Sequence, residues 1–120
     1  MQGLLESIGL VAAGGAVGAL ARYGTVVLLH GRAPAWVSIM LVNVVGCGLV
    51  GVAAAMISAD DRLFVLVGVL GGLTTFSTSM IDVWVLWRSK RIVQAFVVLF
   101  GTPLFSMAAV VGGFGVGGVL

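Results

Sequence analysis

Charge is almost absent from long stretches of this chain, and that pattern constrains its fold more than any other feature. Seven of the ten Asp, Glu, Lys and Arg side chains sit in three short segments, HGRAPAW, SADDR and WRSKR. Between and around them lie four apolar runs, at about 4–29, 34–59, 63–87 and 92–120. A membrane-crossing helix needs about 20 predominantly apolar residues, and each run is long enough. Composition agrees: 61% of the 120 residues are hydrophobic and 8% charged, against about 25% charged in soluble domains, and the mean hydropathy is +1.26. The expectation is an all-α membrane protein with four transmembrane helices forming one domain over residues 1–120. The connections leave no room for an extramembrane domain. Glu6, and the lack of a basic n-region and small-residue cleavage site, argue against a cleaved signal peptide.

The placement of Lys and Arg orients the chain. With four spans, both termini and SADDR share one side, where Arg62 is the only Lys or Arg. The other side carries Arg22, Arg32, Arg88, Lys90 and Arg91. By the positive-inside rule this five-to-one bias puts the loops between spans one and two and between spans three and four in the cytoplasm, with the termini outside. Trp36, Trp84 and Trp87 lie near span ends, where amphipathic rings favour the headgroup level.

Four helices of this size enclose little interior, so any function lies within the bilayer or between subunits, and an oligomer is expected. Three GxxxG pairs, Gly14 and Gly18, Gly68 and Gly72, Gly113 and Gly117, are the expected contacts. His30 falls in a loop without a second ligand, and Cys47 reads as a small packing residue.

Polar groups inside apolar spans are costly unless partnered, so each is a functional candidate. Asn43 lies mid-way along the second span, and Thr102 and Ser106, four apart, share a face of the fourth. The third span holds GGLTTFSTS at 71–79, with Thr74, Thr75, Ser77, Thr78 and Ser79. None of these titrates, and Asp82, the one acid in the third run, lies near its end, which argues against proton exchange at an embedded acid or histidine and leaves no ligand cluster for a catalytic metal; an enzyme is not expected. Two glycines and five hydroxyls predict a break near the middle of this helix. Exposed carbonyls there suit a small cation. Hydroxyls, an amide NH₂ and the positive edge of Phe76 suit a small dehydrated anion.

Three segments, GGAVGALARY (14–23), LVNVVGCGLVG (41–51) and GVLGGLTTFST (68–78), make the chain resemble the small bacterial fluoride channel family, Fluc or CrcB. The resemblance implies an antiparallel dimer of four-helix subunits in the plasma membrane, with two narrow pores for passive fluoride export and a structural sodium ion at the dimer centre. By position it implies that Gly71 and Thr74 offer backbone carbonyls to sodium, and that Asn43, Phe76, Ser77, Thr102 and Ser106 line the fluoride pathway. The chain departs from the family at Ser79, where a second pore phenylalanine is usual, at Val98, where an aromatic hydroxyl is common, and at Pro103. Ser79 and the charge bias together imply pairing with a paralogous subunit of opposite orientation. Expected partners are fluoride, lipid and that subunit, and not nucleic acid. Two alternatives stand beside this reading: a non-conducting structural partner subunit, and a small four-helix multidrug or cation antiporter. The antiporter would need an embedded acid in the first span, where only Glu6 occurs, close to the terminus.

Overall fold

The computed structural model describes residues 1–120 as four long antiparallel helical spans with no strand, extending 51 Å along the longest axis. The spans are Gln2–Leu29, Ala35–Met56, Leu63–Arg88 and Ile92–Gly117. All four are helical because hydrocarbon offers backbone N–H and C=O groups no partner outside their own segment. Six aliphatic side chains are buried, while residues such as Leu20 and Val111 are about 70% exposed. Their apolar surface faces outward, which is stable only against lipid or another subunit. The protein is therefore a multi-pass membrane protein.

The turns follow from local chemistry. After the first span Gly31 takes φ +79° and Pro34 caps the second helix, while Arg32 Nη1 donates to the Leu28 carbonyl (2.6 Å), a cation at a helix C-terminus. In the second turn Ser58 Oγ donates to Asp61 Oδ2 (3.0 Å). The third reverses within three residues. Lys90 adopts φ 63°, its N–H reaches Trp87 O (3.1 Å), and Arg91 N–H reaches Leu86 O (2.9 Å), which satisfies the last carbonyls of the span.

Glycine sets how the spans pair. A Cβ on Gly14 would strike the Phe64 carbonyl and Gly68 Cα, one on Gly18 the Val69 carbonyl, and one on Gly72 the backbone of Gly15. Spans one and three thus meet backbone to backbone. On the other side Gly113 faces the Gly48 carbonyl, Gly117 faces Val52, and Gly51 faces the Val110 carbonyl, which joins spans two and four in the same way. The three GxxxG pairs expected at oligomer contacts are therefore occupied inside the subunit. Those of the first and third spans pack against each other, and no glycine face remains of the kind the sequence assigned to a second chain.

Two spans depart from regular α geometry. Leu63–Leu70 winds in the wide i→i+5 register before a single α turn, Gly71–Leu73, and the fourth span contains a wide segment at Val97–Gly101. The second lies immediately before Pro103, which has no N–H for the Leu99 carbonyl. Insertion of a wide turn shifts the hydrogen-bond register past the proline, and such bulges gather at functional sites. At the end of the bundle near the 89–91 turn, Leu86, Ala95 and Val98 form a small core with Trp36 and Val83 packed against it.

Candidate functional site

The third span breaks where the hydroxyl-rich stretch predicts. Thr74 (φ −81°, ψ 154°) and Thr75 (φ −151°, ψ 127°) are extended between the leading half, which ends at Leu73, and the trailing half, Phe76–Arg88. The carbonyl end of one half-helix and the N–H end of the other meet there, so opposite partial charges lie a few residues apart. The polar side chains around the break are matched to it. Thr74 N–H and Oγ1 both donate to the Leu70 carbonyl (3.1 Å each), closing the leading half. Thr75 Oγ1 accepts from Thr78 N–H (3.3 Å) and caps the trailing half.

Asn43 holds the break from the neighbouring span. Its Oδ1 accepts from Thr75 N–H (2.7 Å), its Nδ2 donates to the Thr75 carbonyl (2.9 Å), and Nδ2 also donates to Ser79 Oγ (2.9 Å). Ser79 in turn donates to the same carbonyl (3.3 Å). In a continuous helix Thr75 N–H would bond the Gly71 carbonyl, and that donor is now spent elsewhere. The Thr74 carbonyl points toward the first span, where the half-buried Arg22 places Nη1 3.4 Å away.

A cavity of about 480 Å³ opens beside the break. Asn43 and Cys47 line it from the second span, Gly71, Thr74 and Phe76 from the third, and Thr102 and Ser106 from the fourth. Six of the seven residues singled out from the sequence are thus brought to one space. Ser77 is the exception: it is exposed outside the cavity lining, its Oγ 3.3 Å from Thr75 Oγ1.

Several hydroxyls in the spans satisfy themselves, and two in the cavity do not. Ser7, Thr25, Ser38 and Thr74 each donate to the carbonyl four residues back in their own helix, the ordinary fate of such side chains in apolar spans. Thr102 and Ser106 do not. Both hydroxyl oxygens are buried and without a partner, and Thr102 is only 6% exposed. Two free donors on one helix face, one turn apart, line a largely apolar cavity. Phe76 is 78% exposed at its rim.

One chain does not close this space. Its volume is many times the roughly 30 Å³ of a water molecule, so a path narrow enough to strip an ion of water requires a wall from elsewhere. Val98, at 1% exposure, contributes to the small core as well as to the lining. Asp82 is half-buried and its Oδ2 has no hydrogen-bond partner. No three His, Cys, Asp or Glu side chains converge.

Sequence reasoning did not anticipate the parts played by Ser79, Thr75 and Cys47. Ser79 reads from sequence as a missing ring, yet it is buried and bonded to Asn43. Cys47 reads as a packing residue; it lies one turn after Asn43, which is the signal that could have placed it in the lining.

Comparison with known proteins gives a consistent result. Residues 9–114 match the family described as "CrcB-like protein, Camphor Resistance (CrcB)". A relative from Paracoccus denitrificans, named fluoride-specific ion channel FluC, is 38% identical over 112 residues, covering 89% of this chain and 90% of that protein. One of the same name from Thermus thermophilus is 36% identical over 124 residues, covering 97% and 98%. Fluoride-specific ion channel FluC 1 of Rhodococcus jostii is 46% identical over 81 residues, covering 66% and 62%.

Proposed function

The chain belongs to the CrcB-like family, and from that premise we propose that it is a subunit of a fluoride-selective channel that lets fluoride leave the cell passively. Hydrogen fluoride crosses membranes as a neutral molecule and dissociates in a less acid cytoplasm, which traps the anion. A passive anion pore then suffices for export. The observation that carries the proposal is the pair of buried, unpartnered hydroxyls of Thr102 and Ser106 in the cavity beside the broken helix. Each can donate to an anion that has shed its water, and neither bears a fixed charge that would favour larger anions. Asn43 and Phe76 complete the wall, Phe76 with its positive ring edge available at the rim.

The open cavity and the exposed Phe76 support an assembly of two antiparallel chains in which the second narrows the path. The break also suits a small hard cation at such an interface. Gly71 and Thr74 line the cavity, Thr75 N–H is withdrawn from the Gly71 carbonyl, and carbonyl oxygens are the ligands a hard cation such as sodium prefers. Bound there, sodium would tie two chains together electrostatically. Arg22 shares the Thr74 carbonyl, which has a second lone pair to offer.

The five-to-one Lys and Arg bias supports insertion in one orientation, with the 30–34 and 89–91 turns in the cytoplasm and the termini outside. An antiparallel partner would then be a related chain with the opposite bias. Ser79 favours a second reading in which this chain mainly supports the partner's pore, because its hydroxyl is committed to Asn43 where the family has a ring.

The test is fluoride efflux from liposomes, read with a fluoride electrode. Thr102→Val with Ser106→Ala, which removes both donors at nearly constant volume, is expected to cut the rate at least about tenfold, a factor equivalent to roughly 1.4 kcal/mol, close to the lower end of what one lost hydrogen bond to a charged ligand costs. An unchanged rate in the assembled variant would remove these hydroxyls from the path.

A further inference from the structure

We propose that the outward face of the turn between the third and fourth spans is a docking site for an anionic phospholipid, whose headgroup phosphate meets Arg88, Lys90 and Arg91 while an acyl chain lies along Phe96 and Phe100. The proposal is independent of what the cavity carries. Three cations fall within four residues there, and all three are exposed. The acidic side chains are elsewhere: Glu6, Asp60 and Asp61 lie at the opposite end of the bundle, and Asp82, six residues before Arg88, is half-buried. Positive charge at this end therefore meets no exposed carboxylate. The turn that carries it is fixed. Ser89 N–H reaches Val85 O (3.0 Å), and the bonds from Lys90 and Arg91 to Trp87 and Leu86 close it over the small Leu86, Ala95 and Val98 core. Cations on a fixed platform lose less freedom when they bind.

The surface below the cations is aromatic. Arg88 Cζ sits 5.2 Å from the centroid of the Trp84 ring, which holds the cation without neutralising it. Trp87, three residues on and so a neighbour on the helix surface, meets Phe96 edge to face (5.9 Å, 67°), and Phe96 stacks on Phe100 (5.9 Å, 7°). The strip runs inward from the turn: Phe100 is nine residues past Arg91, about 13 Å at 1.5 Å per residue. Trp84, Trp87, Phe96 and Phe100 are 60%, 53%, 47% and 62% exposed, so the whole strip is open to a ligand. Tryptophan favours the headgroup level and phenylalanine, with no polar handle, suits hydrocarbon. The order of side chains thus matches a phospholipid read from head to tail. Charge selects the anionic kind, because phosphatidylcholine brings a cation of its own. Trp84 and Arg88 belong to the third span, Arg91, Phe96 and Phe100 to the fourth span, so the lipid would clasp together two spans that line the cavity.

Quenching of tryptophan emission by brominated lipids tests this on the full chain in liposomes. In a Trp36→Phe background only Trp84 and Trp87 emit, and brominated phosphatidylglycerol is compared with brominated phosphatidylcholine at equal mole fraction. The ratio of their apparent binding constants is expected to be at least about fivefold. It should fall to within about twofold of unity when Arg88→Gln and Arg91→Gln are combined, and keep the parent value in Arg62→Gln, which removes a cation at the opposite end. Each ratio is taken within one variant, so any change in Trp84 brightness on losing Arg88 cancels. Lys90→Asn, which leaves the Arg88 and Trp84 pair intact and suits the positive φ, should lower the ratio about twofold or more and decides the matter if the double variant does not fold. Inorganic phosphate should lower the ratio no further than sodium chloride of the same ionic strength. Equal quenching by the two lipids in the parent would overturn the proposal, as would a parent-like ratio in the folded charge variants. So would an equal fall in Arg62→Gln, the mark of general surface attraction, or displacement by phosphate but not by chloride, the mark of a site for a soluble anion.

Discussion

At the residue scale, hydroxyls in apolar helices are informative when they fail to satisfy themselves. Ser7 and Thr25 bond their own helices, so Ser7→Ala is expected to leave fluoride efflux at the parent rate while Thr102→Val lowers it, and the same electrode trace reads both. Asn43→Asp should abolish flux for two reasons: the carboxylate loses both donors that hold Thr75 and Ser79, and it sets a negative charge in a low-dielectric path. Flux from the folded variant at the parent's level would contradict both. The sequence shows that Asn43, Thr102 and Ser106 are polar groups in apolar spans, and that much makes them candidates. It does not show what each touches. The partners of Asn43 lie 32 and 36 positions away, and Thr102 is free because no acceptor from its own or a neighbouring span reaches its hydroxyl.

At the element scale, the four spans are legible because charge and hydropathy mark their ends. The break is legible because five hydroxyls after two glycines compete with helical hydrogen bonding. The two wide segments are not, since register shifts of one residue leave composition unchanged; only Pro103 hints at the second. Glycine pairs are visible in the sequence, but which helix each one meets is decided by the turns. The packing therefore makes a prediction that sequence alone could not. Gly18→Leu drives a side chain into the Val69 carbonyl and should destabilise the subunit by about 1–3 kcal/mol or more. Gly9→Ala meets open space and should leave stability unchanged or slightly raised. Denaturant titration of the two variants in lipid bicelles distinguishes them, and equal midpoints would mean that spans one and three do not pack through Gly18.

At the scale of the whole molecule, one chain displays an outward apolar surface, an unclosed cavity and a strongly biased charge distribution. Two consequences can be measured. With His30→Cys or Asp60→Cys in a Cys47→Ala background, an impermeant thiol reagent should label the first only from the cytoplasmic side and the second only from outside; equal labelling of both from either side would mean dual insertion. If Gly71 and Thr74 help to hold sodium between two chains, exchanging sodium for a large organic cation should weaken assembly, since a ligand at a hundred times its Kd stabilises the state that binds it by about 2.7 kcal/mol. Dimer fraction against protein density in lipid reports that loss, and identical curves in the two salts would argue against the ion. Whether the cavity beside the broken helix conducts fluoride is decided by electrode-recorded efflux from liposomes holding this chain together with whatever subunit co-purifies with it from its own membrane. A conducting cavity gives rapid release of fluoride, retention of chloride, and at least about tenfold slower fluoride release when Thr102→Val and Ser106→Ala are combined in a protein that still assembles. Fluoride release no faster than from protein-free liposomes, or a double variant as fast as the parent, would contradict it.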